Sequence, residues 1–238
     1  MPDTRTNRGA HPRDAIDFAR ELLPKLRTAT DDVCWLLSRG YPKDASLKLV
    51  GDRYGLRARQ RTALQRVAAS DEARDLRRLK HVEPEALRGE EVLIDGYNVL
   101  LTVEMALGGG VVLLARDGTV RDMASMSGHY RRVKQTLPAL ELLGSYLETH
   151  DPRRVLWYLD RPISNSGRLK KVIEEAAAAA GWPWEVELSA SPDRELAASA
   201  SIVASADSAV LDRCRRWVNL ARHVVEGLVP GAWVVDLS

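Results

Sequence analysis

Residues 92–101, Val-Leu-Ile-Asp-Gly-Tyr-Asn-Val-Leu-Leu, constrain the fold of this chain more than any other stretch. The apolar run before Asp95 has the length and branching of a buried strand, and the acid closes it. Gly96 and Tyr97 then turn the chain, and Asn98 opens a helix over 98–107. A strand that ends in an acid and feeds a helix is half of a parallel βαβ unit. In open parallel sheets, ligands and catalytic groups gather at the carboxyl ends of the strands. A carboxylate facing a helix N-terminus there can hold a metal ion or meet a phosphate.

The same grammar recurs downstream. Arg154–Leu159 reads as a strand ending at Asp160, followed by a polar loop that carries Arg161, Asn165 and Lys170. Trp184–Leu188 reads as a strand leading into Ser189–Glu195, where Pro192, Asp193 and Glu195 suit the first turn of a helix. Ala200–Asp207 reads as a short strand ending in an acid, with a helix over Ser208–Arg222, and Ala232–Leu237 closes a set of five strands. The fold class is α/β, a parallel sheet flanked by helices.

The Ile94-Asp-Gly-Tyr-Asn-Val99 stretch resembles the first motif of NYN-type domains in the PIN-like nuclease superfamily. Ser205-Ala206-Asp207 is similar to that superfamily's Ser/Thr-Asp motif, one residue wider than the usual pair. The resemblance covers roughly residues 91–238 and rests on four short motifs. It implies a PIN-like (Rossmann-like) sheet whose clustered acids bind Mg²⁺ or Mn²⁺ and hydrolyse phosphodiesters, RNA ahead of DNA. Carried onto this chain, it implies catalytic and metal-binding roles for Asp95, Asp160, Asp193 and Asp207, with Glu195 assisting or replacing Asp193. Asn98 becomes a neutral ligand or substrate positioner, and Ser205 a substrate contact.

The chemistry wants such groups. Phosphodiester hydrolysis needs an activated water and neutralised charge on the phosphoryl and leaving oxygens, which one or two hard cations supply. Each acid also has a plainer reading as an N-cap of the following helix. The rival functional reading is a non-catalytic nucleic-acid-binding or regulatory protein with a degenerate PIN-like site. A haloacid-dehalogenase-like phosphatase would need a second Asp two residues after the first, and position 97 is Tyr.

Residues 1–85 show helical periodicity and no strand, and 86–238 hold the α/β pattern, which gives two segments. Ala15–Leu26 and Thr30–Arg39 read as short helices, the first stopped near Pro24 and the second by Gly40-Tyr-Pro42. A helix running to Tyr54, a turn at Gly55-Leu56 and a second helix from about Arg57 outline a helix-turn-helix. Its second helix carries Arg57, Arg59 and Arg61, of which Arg57 and Arg61 share a face and are taken as nucleic-acid contacts. Trp35-Leu-Leu-Ser-Arg-Gly-Tyr and Leu47-Lys-Leu-Val-Gly-Asp-Arg-Tyr resemble a small prokaryotic domain of unknown activity, DUF434. Residues 78–90, polar with a Pro, read as the connection.

Charge separates the two segments. Residues 1–90 carry 19 Lys and Arg against 14 Asp and Glu, whereas 91–238 carry 16 against 19. A basic front and an acidic back suit phosphate contacts in one and metal-binding acids in the other. Two distant cysteines, Cys34 and Cys214, have no metal-ligand spacing and fit a reducing compartment. The N-terminus has no apolar leader and no stretch approaches a membrane span, so the expectation is cytoplasmic, with no membrane partner. A homo-oligomer or a protein partner remains open.

Between the first two acids, Val111–Met123 reads as a hairpin around Asp117-Gly118, with a type I′ turn. The loop Ser125–Arg132 follows, where His129, Tyr130, Arg131 and Arg132 offer phosphate or base contacts, and then a helix to about Glu148.

Overall fold

The computed structural model describes residues 8–123 and 128–238, so Ser125, Met126 and Ser127 of the predicted loop lie outside the described residues. The helical segment comprises α1 (Asp14–Asp17), a 3-10 turn (Arg20–Leu22), α2 (Leu23–Leu37), α3 (Lys43–Arg53), α4 (Ala58–Val67) and α5 (Asp71–Lys80). A 3-10 turn at Pro84–Leu87 leads into β1 (Glu91–Asp95) and α6 (Gly96–Leu107). Next come β2 (Val111–Leu114), β3 (Val120–Asp122), α7 (Thr136–Thr149), β4 (Arg154–Asp160), α8 (Ser166–Ala180) and β5 (Trp184–Ser189). The chain ends with α9 (Pro192–Ala198), β6 (Ile202–Ala204), α10 (Ser208–Leu211), β7 (Arg216–Val218), α11 (Leu220–Leu228) and β8 (Trp233–Asp236).

Five strands form one parallel sheet in the order β5-β4-β1-β6-β7. The chain works outward from β1 through β4 to β5, then crosses back to lay β6 on the other side of β1. That reversal creates a topological switch point between the carboxyl ends of β1 and β6, where a doubly wound sheet opens its crevice. Helices cover the sheet because its strands are apolar on both faces: Val92 and Ile94 join one core cluster, while Leu93 joins another with Leu156, Val203 and Trp217.

The fifth strand of this sheet is not the predicted one. Ala232–Leu237 does contain a strand, β8, but it pairs with β2 in a separate sheet of order β3-β2-β8. The edge of the main sheet is β7, which lies inside the stretch predicted as a helix over Ser208–Arg222. Three residues are too few to show alternation, so their pattern alone cannot separate strand from helix. Buried Trp217 and Val218 settle it by packing.

The small sheet joins the two segments. Val112 and Val120 face the main core, whereas Val111, Leu113 and Ala115 pack with Phe18, Leu26, Val33, Val50 and Leu64 of the helical segment. Alternate residues of a single strand therefore serve two cores, as a period of two requires. The helical segment shares its interior with β2 and β8, so the boundary near residue 85 divides the chain but not the packing.

Several local expectations change. Pro24 sits in the first turn of α2 instead of stopping a helix, and α2 runs unbroken through Thr28. Residues 71–80 form α5, capped by Ser70 Oγ on the Ala73 N–H, so 78–80 are helix and not connection. The hairpin turn is a type I turn over Ala115–Gly118 followed by Gly118 at φ +80°, since Asp117 does not take positive φ. Cys34 and Cys214 are both free and buried, in different clusters. Among the described residues, no helix is long and apolar enough to cross a membrane.

Candidate acidic site at the strand ends

Asp95 ends β1 at the switch point and is 8% exposed. The sequence places it tightly: a Cβ on Gly96 would stand 2.8 Å from the Tyr158 carbonyl oxygen, so only glycine lets α6 start this close to β4. Ser205 Oγ donates to Asp95 Oδ2 at 2.7 Å and accepts from the Asp207 N–H at 2.9 Å. Asn98, third residue of α6 and not its opening one, accepts from the Ala206 N–H at 2.9 Å through Oδ1. The β6–α10 loop is thus pinned to β1 and α6 by two polar side chains.

Asp207 does not end a strand, because β6 stops at Ala204. It caps α10, accepting from the Ala209 N–H at 2.7 Å and the Val210 N–H at 3.3 Å. The plainer reading therefore holds for this acid, and its charge still reaches the crevice. Burial pushes Asp95 up to about 7, and the charges of Asp207 and Asp193 add to that against the Ser205 hydrogen bond. Asp193, in the first turn of α9, is raised by burial and by Asp207. Asp160, at the end of β4, is raised by burial and by Asp193. The four acids form one electrostatic community, each felt by a neighbour.

Glu195 stands apart from this coupling, its carboxylate taking the Ser189 hydroxyl at 2.5 Å across the β5–α9 turn. Among the described residues, no group of three or more His, Cys, Asp or Glu side chains is assembled so that it could hold a metal ion. The donor set around the switch point is entirely oxygen, the kind that hard divalent cations take.

The remaining predicted contacts fall in three places. His129 pairs with Ser164 in a short parallel bridge, and Asn165 Nδ2 donates to the Tyr130 carbonyl at 2.9 Å. Tyr130 is not a base-stacking side chain: it is 2% exposed and donates to Glu104 Oε1 at 2.7 Å. The Arg131 carbonyl accepts from Arg8 Nη2, while Arg132 is exposed at the rim of a groove with Leu137, Glu141 and Trp182. Beside Asp160, Arg161 Nη2 and Lys170 Nζ donate to the carbonyls of Leu188 and Val186, so both brace β5.

On the helix-turn-helix, Arg57 pairs with Asp17 at 2.8 Å, Arg59 with Asp14 at 2.5 Å and Arg61 with Asp52 at 2.8 Å. These guanidiniums are engaged with the protein's own acids, and Arg57 begins α4 roughly 14 Å of helix away from Arg66.

Sequence reading missed two buried polar networks. Glu104, fully buried, takes Arg8 Nε at 2.5 Å, the Tyr130 hydroxyl and the Thr136 hydroxyl at 2.6 Å. Asp117, also buried, sits between Arg77 at 2.5 Å and Arg121 at 2.6 Å. Neither has a local signal, since the partners lie tens of residues apart in the chain.

Comparison with known proteins gives this architecture a place without giving it an activity. The DUF434 family, a protein family of unknown function, matches residues 25–80. An uncharacterized protein of Methanocaldococcus jannaschii is 30% identical over 205 residues, covering 85% of this chain and 98% of that protein. No solved structure matches. The model of DUF5616, a domain of unknown function, matches residues 84–223, well over half of the chain, so this protein belongs to the DUF5616 family.

Proposed function

We propose that this protein is a Mg²⁺- or Mn²⁺-dependent hydrolase of phosphodiester bonds, acting on RNA, with a PIN/NYN-like site at the switch point. The observation that carries the reading is Asp95. It is a buried carboxylate on the central strand, raised to about 7, with negative charge from Asp207 and Asp193 beside it. Holding that arrangement costs stability, and a cation relieves it. Perturbed carboxylates in a crevice are a mark of functional sites.

Asp95, Asp160, Asp193 and Asp207 are the residues that would hold the cation, and Mg²⁺ takes only one or two protein carboxylates with water and substrate phosphate. A bound divalent cation supplies a nucleophilic water near neutral pH and neutralises developing charge. The protein's own part is orientation and proton handling. Ser205 fixes one Asp95 oxygen, and the carboxyl can hold or release a proton near neutrality. Asn98 and Ser205 keep the β6–α10 loop at a fixed distance from β1, so that Asp207 cannot drift from Asp95.

Calorimetric titration with Mn²⁺ at low ionic strength, on the wild-type protein and on Asp95→Asn, tests the reading. Binding that the substitution removes, together with Mn²⁺-dependent cleavage of single-stranded RNA by wild type alone, is expected. Undiminished cleavage by Asp95→Asn would sink it.

A further inference from the structure

We infer that the helical N-terminal segment completes the acidic site, and that Lys43 is the cation it contributes for a phosphate of the substrate. This rests on the phosphodiester reading above and names a residue that the PIN-like motifs do not contain.

The geometry begins at the turn before α3. Pro42 takes an extended backbone, and Lys43 is the first residue of the helix. Asp44 and Leu47, next along α3, line a shallow hollow with Thr62 and Gln65, so the start of α3 lies against the end of α4. At that same end, the Arg66 carbonyl accepts from Arg121 Nη1 at 2.9 Å. Arg121 Nε donates to the Ala206 carbonyl at 2.7 Å. One buried side chain thus ties the end of α4 to the loop that carries Ser205 and Asp207. Lys43 is delivered to the edge of the crevice by this bracket.

Its neighbours leave Lys43 without work of its own. Arg77 and Arg121 are the nearby cations, and both are held by Asp117. Asp207 is occupied as a helix cap. Arg121, Arg77 and Asp207 all lie close enough for their charges to act on the Lys43 ammonium, and none of the three hydrogen-bonds to it. The side chain reaches solvent, yet protein atoms crowd it. Crowding and the two arginines hold the ammonium below the usual lysine range. A phosphate at this edge would restore what the site withholds, and a lysine on a four-carbon stem is suited to meet it as a point charge.

A cation is also what the site otherwise lacks. Around the switch point the charges are negative, which suits a metal but repels a polyanion. Arg161 and Lys170 are turned to strand carbonyls. The predicted arginines of the helix-turn-helix are paired with Asp14, Asp17 and Asp52.

Fluorescence anisotropy with a short fluorescein-labelled single-stranded RNA, in EDTA to prevent turnover, tests this on wild type, Lys43→Ala and Lys43→Arg. Lys43→Ala is expected to weaken binding about ten-fold and to flatten the dependence of log affinity on log salt by about one, between about 50 and 200 mM. Lys43→Arg is expected to keep most of the affinity. Urea unfolding should be unchanged in both. Affinity equal to wild type in Lys43→Ala, or no RNA binding by wild type, overturns the assignment. Mn²⁺-dependent cleavage measured on the same proteins separates the two ideas. Cleavage with Lys43→Ala indistinguishable from wild type removes Lys43 and leaves the acidic site standing. Binding that depends on Lys43 without any cleavage keeps Lys43 and removes the hydrolase.

Discussion

Asp95 and Asp117 are both buried, and their surroundings push them in opposite directions. Burial penalises the ionised form of each. At Asp117 the guanidiniums of Arg121 and Arg77 outweigh that penalty, holding the acid at about 2. At Asp95 the neighbouring charges are negative, and the acid stands at about 7. The first arrangement is a structural joint: Arg77 comes from α5 and Arg121 from β3, so the ion triad clamps the helical segment to the small sheet. The second is a site left uncompensated, which a protein retains where a ligand completes it. Among buried acids, the sign of the second shell separates architecture from chemistry.

The largest effect expected from breaking this contrast is at the joint. Arg77→Ala leaves Asp117 with one partner, and loss of one member of a buried ion cluster costs about 3–5 kcal/mol, read by urea unfolding. An unchanged midpoint would show that the clamp is not structural.

Asp95→Asn should act in the opposite direction. A shift from 3.8 to about 7 corresponds to roughly 3–4 kcal/mol of destabilisation by the ionised carboxylate. Because the folded-state value is raised, wild type is unburdened below about 3.8 and loses stability as the pH rises toward 7. The asparagine variant should therefore gain on wild type across that window and stay ahead at pH 8 in the presence of a chelator. Asp117, lowered in the folded state, gives the mirror image: its stabilisation is full above about 3.8 and is lost as the pH falls toward 2. Parallel pH profiles for wild type and Asp95→Asn would remove the contrast.

Gly96→Ala sharpens the placement of Asp95. The added methyl meets the Leu159 side chain and the Tyr158 carbonyl, so a loss of about 1–3 kcal/mol is expected by thermal unfolding, with weakened Mn²⁺ binding. The smallest effect is at Arg57→Ala. This half-exposed arginine shares buried Asp17 with Arg13, and about 1 kcal/mol or less is expected in denaturant midpoint.

Much of the αβ order was readable because long apolar runs bounded by acids and turn residues report strands directly. Asp95 was visible for the same reason, and so were the positions of Asp160 and Asp193. The helix-turn-helix was legible from Gly55-Leu56 between two periodic stretches, matching α3 and α4 within a residue. What failed were choices between partners. Ala232–Leu237 announces a strand, but nothing in it states that β2 and not β6 lies alongside. Arg216–Val218 is too short to announce anything. The arginines of α4 look available in sequence, and only folding brings Asp14 and Asp17 to them.

The sequence by itself determined that acids end the central strands of an α/β sheet, since local propensity and hydrophobic period act within a few residues. Only the tertiary structure decided which acids are balanced and which are not. Arg77 and Arg121 reach Asp117 from 40 and 4 residues away, while Asp207 and Asp193 approach Asp95 from beyond position 190. Electrostatic environment is a sum over neighbours in space, and the chain reveals those neighbours only once the switch point and the shared core have been built.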